Sequence, residues 1–412
     1  MPGRSLSVDP KLSASDLDSF AEARRLLDAW SLPGAESAQL AVFDKLGVEI
    51  VAGEGARVRD RAGRWYWDLY GGHAVSLIGH CHPLWAAVVA EQARRLEFYS
   101  NLTPHPLRAA ACQAIVDLAP SNLTNVFLTN SGAEANETAL KLARHHTGRT
   151  EVVAYEGAFH GRTAATLAVT WNEKYRNYAE PGFGHTRFLP FGTVPGRNGT
   201  APLDTTVAAV IIEPIQSLNG MTTATPAFLR DLRRACDDAG ALLILDEVQT
   251  AWGRLGTPFA ANYYDVRADL LTGAKSAAGG FPVGVTLVDG AIASKVKTGD
   301  QGSTFGAGPL ACAAILATHH IVRSEGLMAN ARAVEDRVRQ RIERDLGWPI
   351  RGHGCLLGVV CPMPTRMLLP RLREAGFMAG GSDDPHVMRI MPPLNLPIAA
   401  VDQLADALGS AA

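Results

Sequence analysis

From about residue 76 to residue 308 the chain alternates short apolar runs with longer amphipathic stretches. The apolar runs fall at 125–129, 151–155, 208–213, 241–246, 269–273 and 282–288. Strand-like runs separated by helical ones predict a mainly parallel sheet with helices on both faces. Upstream, Gly47–Leu69 (GVEIVAGEGARVRDRAGRWYWDL) alternates apolar and polar positions between turn glycines, as small antiparallel strands do. A helix is expected over Asp16–Trp30, between a loose polar start at 1–13 and a linker at 31–37. Residues 309–345 read as mostly helical. The remainder mixes strands at 354–361 and 386–391 with helices at 365–374 and 401–408. The expected organisation is therefore an N-terminal segment with part of a small domain (1–75), a large domain (76–308) and a C-terminal small α+β domain (309–412).

Chemistry concentrates where apolar runs end. In LLILDEVQTAWGR a strand delivers Asp246 to its carboxyl end, and in LLTGAKSAAGGFPVG a lysine, Lys275, stands among small residues. A carboxylate buried at a strand end costs several kcal/mol unless a cation or donors meet it. A lysine among Gly, Ala and Ser is placed to be reached. Each has an ordinary reading as a cap or a solvated charge. Together they suggest a pyridoxal phosphate site, with the lysine amine forming a Schiff base and the acid keeping the ring nitrogen protonated. NVFLTNSGAEANETALKLARHH reads as a strand, a tight turn and a helix from Gly132. Ser131 and Glu134 fit a capping box, and the helix start can receive a phosphate on its free amides. It reads equally as a plain capped helix. In YEGAFHGRT, Phe159 can stack on a planar ring or simply fill the core.

Taken in order, SGAEANETALKLAR, FHGRT, IIEPIQ, LLILDEVQTAWGR, LTGAKSAAGGFPVG, GSTFGAGPLA and MRIMPPL resemble the class III aminotransferases of the acetylornithine and ornithine branch, from about residue 35 to the C-terminus. The resemblance implies the fold-type I α/β architecture and pyridoxal 5′-phosphate as cofactor. It implies that Lys275 carries the cofactor and Asp246 pairs with its ring nitrogen. Gln249 would lie near the phenolic oxygen, Val248 and Phe159 on the two ring faces, and Gly132 and Ala133 at the phosphate. Ser131, His160 and Glu213 complete the implied cofactor set. Thr304 would reach the neighbouring subunit's phosphate, which makes a homodimer the expected unit. Many relatives carry threonine at the place of Ala133, so one hydroxyl contact is absent here.

The same resemblance assigns Arg162 and Arg389 to substrate carboxylates, as their planar forks suit. It implies an ω-amino donor such as N-acetylornithine and 2-oxoglutarate as acceptor in a ping-pong cycle. Two positions depart from the pattern. Leu218 stands in EPIQSLNGM where relatives supply a glutamate that covers the second arginine. His73 stands in WDLYGGHAVSLIGHCHP at a substrate-facing position usually apolar or tyrosine. Both touch donor choice, and an amine or amino sugar of a specialised pathway is the alternative donor. A mutase, racemase or decarboxylase on the same fold is the competing reaction, and a non-catalytic regulator is disfavoured by the intact catalytic positions.

Composition changes little in this picture. The 412 residues are 47% hydrophobic with 40 glycines and a net charge of −2, enough for a large core. No basic tail suggests nucleic acid, no apolar run approaches a membrane span and no charged lead precedes an apolar start. Six cysteines show no zinc spacing, and Cys81 beside His82 reads as core packing. The expectation is a cytoplasmic enzyme with reduced thiols, in which the N-x-T matches at Asn101, Asn122, Asn136 and Asn198 carry no glycosylation meaning.

Overall fold

The computed structural model describes residues 14–31, 39–42, 44–176 and 185–411. The chain forms two compact units, 1–50 and 51–412. Within the first, a helix spans Ala14–Trp30. The expected loose start at 1–13 and nearly all of the expected linker at 31–37 lie outside the described residues.

Among the described residues, sixteen strands follow in chain order: β1 (Ile50–Glu54), β2 (Arg57–Asp60), β3 (Trp65–Asp68), β4 (Leu123–Thr129), β5 (Glu151–Tyr155), β6 (Thr186–Leu189), β7 (Val207–Ile212), β8 (Ile215–Gln216), β9 (Thr222–Thr223), β10 (Leu242–Asp246), β11 (Leu270–Gly273), β12 (Gly284–Asp289), β13 (Ile350–His353), β14 (Leu356–Val360), β15 (Phe377–Met378) and β16 (Val387–Ile390). The central sheet has seven strands in the order β4-β12-β11-β10-β7-β5-β6. Strands β11, β10, β7, β5 and β6 pair in parallel, whereas β12 runs antiparallel to both β11 and β4. Six strands thus share one direction and β12 opposes them.

Continuous apolar runs suit this sheet because both faces are covered. In β7, Val210 and Ile212 enter one buried cluster while Ala209 and Ile211 enter the other. In β10, Leu243 and Leu245 face the first and Ile244 the second, the period of 2 that a strand imposes. Smaller sheets are β1-β2-β3-β15 and β13-β14-β16. The β15–β3 pairing, Phe377 to Trp67 and Met378 to Asp68, is parallel and joins residues far apart in sequence. Strand β6 was not anticipated: TRFL is too short and polar to stand out, and it forms by pairing with β5 at the sheet edge. Cys81, expected in the core, is exposed with φ 53°, because it sits in the turn leading to the helix Pro83–Arg95. No helix among the described residues is long and apolar enough to cross a membrane.

Candidate active site

A cavity of about 410 Å³ opens at the carboxyl edge of the central sheet. Ser131 and Gly132 follow β4, Phe159 and His160 follow β5, Glu213 follows β7, Asp246 ends β10 and Lys275 follows β11. The reversed β12 begins at the same edge, so Gly280–Val283 close one side. Parallel strands deliver their carboxyl ends to one rim, where irregular turns can present side chains to a ligand.

At the floor, Asp246 accepts from the Asn136 amide and the His160 Nδ1, each at 2.7 Å, and from the Val248 amide at 3.0 Å. Asp246, Asn136 and His160 are all buried. Asn136 also donates to the His160 carbonyl at 2.8 Å and accepts from the Thr272 hydroxyl at 2.6 Å, so both its polar atoms are used. The carboxylate is therefore surrounded by donors rather than paired with one cation, as a buried acid requires. Beside it, Glu213 accepts the Phe159 amide at 2.9 Å. Burial, and then repulsion from Asp246, pushes the Glu213 carboxyl well above the ordinary carboxylate range.

Lys275 occupies the opposite wall. Desolvation lowers its amine from the usual lysine value, against the pull of Asp246 and Glu213. Its backbone lies at φ 43°, a left-handed conformation costing on the order of 1–3 kcal/mol in a non-glycine residue. The surroundings hold it there. Trp252 donates to the Ala274 carbonyl at 3.1 Å, and the Ser276 hydroxyl donates to the Ala74 carbonyl at 2.7 Å. The same Ala74 carbonyl accepts Arg254 Nη2 at 3.2 Å, from an arginine with no solvent exposure.

The third wall is a helix start. Ser131 caps Gly132–Thr147 by accepting the Glu134 amide at 3.2 Å. Glu134 reaches back to the Asn130 amide at 2.9 Å instead of the Ser131 amide, a capping box displaced by one residue. The first amides have no partner within the helix and border the cavity with Gly132 and Ala133. A Cβ on Gly132 would meet the Val248 side chain at 2.9 Å, so only glycine leaves this approach open.

The outer face is built differently. Arg162 is exposed, its guanidinium 4.6 Å from the Tyr175 ring centroid and 5.8 Å from that of Phe159, with no ion pair. Arg389, on β16, is 7% exposed. It donates to the Gly381 carbonyl at 2.5 Å, and at 3.4 Å to both the Ser217 hydroxyl and the Tyr70 phenol. Neither arginine has a carboxylate within ion-pair distance among the described residues. The Tyr70 hydroxyl also bonds His73 Nδ1. Burial, and then the Arg389 and Lys275 cations, lower the His73 imidazole from its ordinary value. Gly71, Gly72, His73 and Ala74 take four successive left-handed conformations, φ 58°, 56°, 67° and 63°. Asp68 anchors this turn by accepting the Tyr70 and Gly71 amides at 3.0 and 2.7 Å.

The cavity thus brings together Ser131, Gly132, Ala133, Phe159, His160, Arg162, Glu213, Asp246, Val248, Gln249 and Lys275. Arg389 and His73 are linked to each other through Tyr70 and do not line the cavity. Thr304 is exposed and lies away from it. Sequence reasoning missed Asn136, which resembled only a sequon and a helix position. It missed Tyr70, Ser276 and Arg254 as well, since their partners lie far away in the chain. For Asn136 a signal existed: on a helix beginning at Gly132 it falls on the face that carries Ala139, Leu140 and Ala143 into the core.

Comparison with known proteins adds an independent finding. The family described as Aminotransferase class-III matches residues 42–411. The chain is 40% identical over 341 residues to the acetylornithine aminotransferase of Methanopyrus kandleri, covering 82% of this chain and 85% of that protein. It is 36% identical over 358 residues to the [LysW]-aminoadipate semialdehyde/glutamate semialdehyde transaminase of Sulfolobus acidocaldarius, covering 85% and 91%. A solved structure of ornithine aminotransferase from Toxoplasma gondii, with partial occupancy of PLP at its active site, superposes with a TM-score of 0.85 at 28% identity, covering 95% and 97%.

Proposed function

We infer, from the premise that this chain belongs to the class III aminotransferases, that it moves an amino group from an ω-amino compound to 2-oxoglutarate. The family makes it a pyridoxal phosphate-dependent transaminase, and the residues fit that cofactor. A buried acid, a desolvated amine and a glycine-led helix start surround one cavity, and Phe159 and Val248 supply apolar faces within it. When bound, the cofactor supplies an electron sink for the bond broken at the substrate carbon.

The chain's own residues do the rest. Asp246, fixed by Asn136 and His160, would hold a proton on the ring nitrogen. Lys275 Nζ would hold the cofactor covalently and, once freed by the substrate amine, would be the base that moves a proton at the substrate carbon. Its lowered basicity keeps a larger neutral fraction for that task. Gly132 and Ala133 offer backbone amides to the phosphate. Gln249 would serve the ring's phenolic oxygen, and Glu213, whose carboxyl burial pushes well above the ordinary range, lines the same cavity.

One observation carries the substrate reading: among the described residues, neither Arg162, which lines the cavity, nor Arg389 has a carboxylate within ion-pair distance. Two such arginines suit a dicarboxylate acceptor and a donor bearing one carboxylate. Leu218 and His73 favour a second reading for the donor, an amine or amino sugar of a specialised pathway. The functional unit is proposed as a homodimer in which Thr304 reaches the neighbouring subunit's phosphate. The adjacent Phe305, 66% exposed, supports a buried contact there. A cytoplasmic setting fits the free cysteines.

Half-reactions followed by absorbance test this reading. Glutamate should bleach the bound cofactor's band and 2-oxoglutarate restore it. Among N-acetylornithine, ornithine, γ-aminobutyrate, lysine and an amino sugar, the fastest bleaching identifies the donor class. A band that responds to an amine and never to glutamate or 2-oxoglutarate would overturn it.

A further inference from the structure

We propose that Tyr70 is a specificity-determining residue: its phenol covers Arg389 between substrates and yields to an incoming carboxylate, a neutral cover where an acidic one would form an ion pair. The inference rests on the reading above that Arg389 receives a substrate carboxylate.

Arg389 is a buried cation with an incomplete shell. A guanidinium has five N–H donors, and among the described residues it makes three hydrogen bonds, two of them at 3.4 Å. The segment that follows Glu213, Pro214 to Met221, contains no acid, and Leu218 engages only through its carbonyl, which accepts the Asp383 amide at 2.8 Å. Asp383 attracts Arg389 through space, but its carboxylate contacts Lys174 at 3.3 Å. The Tyr70 phenol is what remains, its ring centroid 5.6 Å from the guanidinium carbon. Two long hydrogen bonds to hydroxyls are weak competitors for a guanidinium. A carboxylate offers two short, charge-assisted ones in the matching plane.

Donor and acceptor roles run in one direction. Arginine only donates, so the phenol oxygen accepts from Nη2 and its own proton passes to His73 Nδ1. His73 must therefore present an unprotonated Nδ1, and it orients the phenol so that a lone pair faces Arg389. The left-handed turn at 71–74 places His73 where it can do this, one turn beyond Tyr70. Tyr70 itself packs over Gly380, where a Cβ would meet the ring at 2.2 Å. The cover is thus built by the chain, with its ring seated on a glycine and its hydroxyl aimed by a histidine.

The test uses the holoenzyme and glutarate, a dicarboxylate that cannot react. Tyr70→Phe keeps the ring and removes the competing hydroxyl. Glutarate inhibition and the KM for 2-oxoglutarate should both tighten by about three- to tenfold, the range one neutral hydrogen bond supports, with kcat nearly constant. His73→Phe frees the phenol and should shift both in the same direction by about twofold. A residue that only maintained the fold would weaken both. Glutarate binding unchanged or weaker in both variants overturns the proposal. Arg389→Gln separates the underlying reading: if that variant binds glutarate as the parent does, Arg389 is not the carboxylate site and both inferences fall.

Discussion

The two sides of the cavity are built by opposite rules. On the cofactor side, Asp246, Asn136, His160 and Thr272 are joined by hydrogen bonds of 2.6–2.8 Å and all four are buried. On the substrate side, among the described residues, Arg162 lies against aromatic faces and Arg389 is held by one short and two long hydrogen bonds. Chemistry common to every turnover tolerates no variation in angle, so its residues are mutually fixed. Groups that must accept one substrate, release it and accept another need partners they can leave.

The sharpest break in this contrast is expected at Lys275. Lys275→Ala should lower kcat by about 10³-fold or more, while cofactor still binds without covalent attachment, detected by dialysis and absorbance. Near-normal turnover would remove the lysine from the proposed chemistry. Next, Asn136→Ala should cost roughly 1–3 kcal/mol of stability, because it strips partners from buried Asp246 and Thr272. Denaturant titration would measure this, and kcat should fall with it. If Asn136→Ala proves harmless, the closed side is looser than its distances imply. Arg162→Gln should act almost wholly through KM for the carboxylate substrate, by about tenfold, with thermal stability unchanged. A large loss of stability would mean that Arg162 belongs to the closed side.

The smallest effect on activity is expected from acid. His319 stacks on Trp252, 5.2 Å between centroids, beneath the Ala274 carbonyl that Trp252 holds. Its ring nitrogens are buried without partners, and burial pushes its pKa from 6.5 down to about 4. The unfolded chain binds this proton more readily, so the folded state is fully favoured above pH 6.5 and loses stability as pH falls toward 4. The loss is at most roughly 3 kcal/mol. Chemical denaturation at a series of pH values should show that slope, and His319→Leu should flatten it.

How much of this was legible beforehand follows the same division. Strand-end positions of Asp246, Lys275, Phe159 and Gly132 could be read because buried parallel strands are continuous apolar runs and their ends are visible in the chain. The reversal of β12 could not, since Gly284–Asp289 reads as an apolar run like the strands of the opposite direction beside it, and direction is set by the turn before it. Asn136 left one trace, a polar residue on the apolar face of its helix, but nothing local named Asp246 and Thr272 as its partners. Tyr70 was hidden because Arg389 meets it only after β15 pairs with β3 and β16 with β14, although His73 stands just three residues on. Long-range pairing of this kind leaves no local trace.

The Ala74 carbonyl has a consequence for how the chain can be divided. It receives both Ser276 and the wholly buried Arg254, so one oxygen ahead of residue 76 serves the loop that carries Lys275. A fragment beginning at 76 would retain every cofactor-facing side chain of the cavity except Val75. It would also leave a guanidinium in the interior with its acceptors reduced to the Cys355 and Pro392 carbonyls and the Ser276 hydroxyl. Such a fragment should express as aggregate, and supplying the missing segment as a separate peptide should recover cofactor binding. The loop that carries Lys275 is thus supported from both sides of it in the chain, by the Ala74 carbonyl before it and, through Arg254, by the Cys355 and Pro392 carbonyls after it.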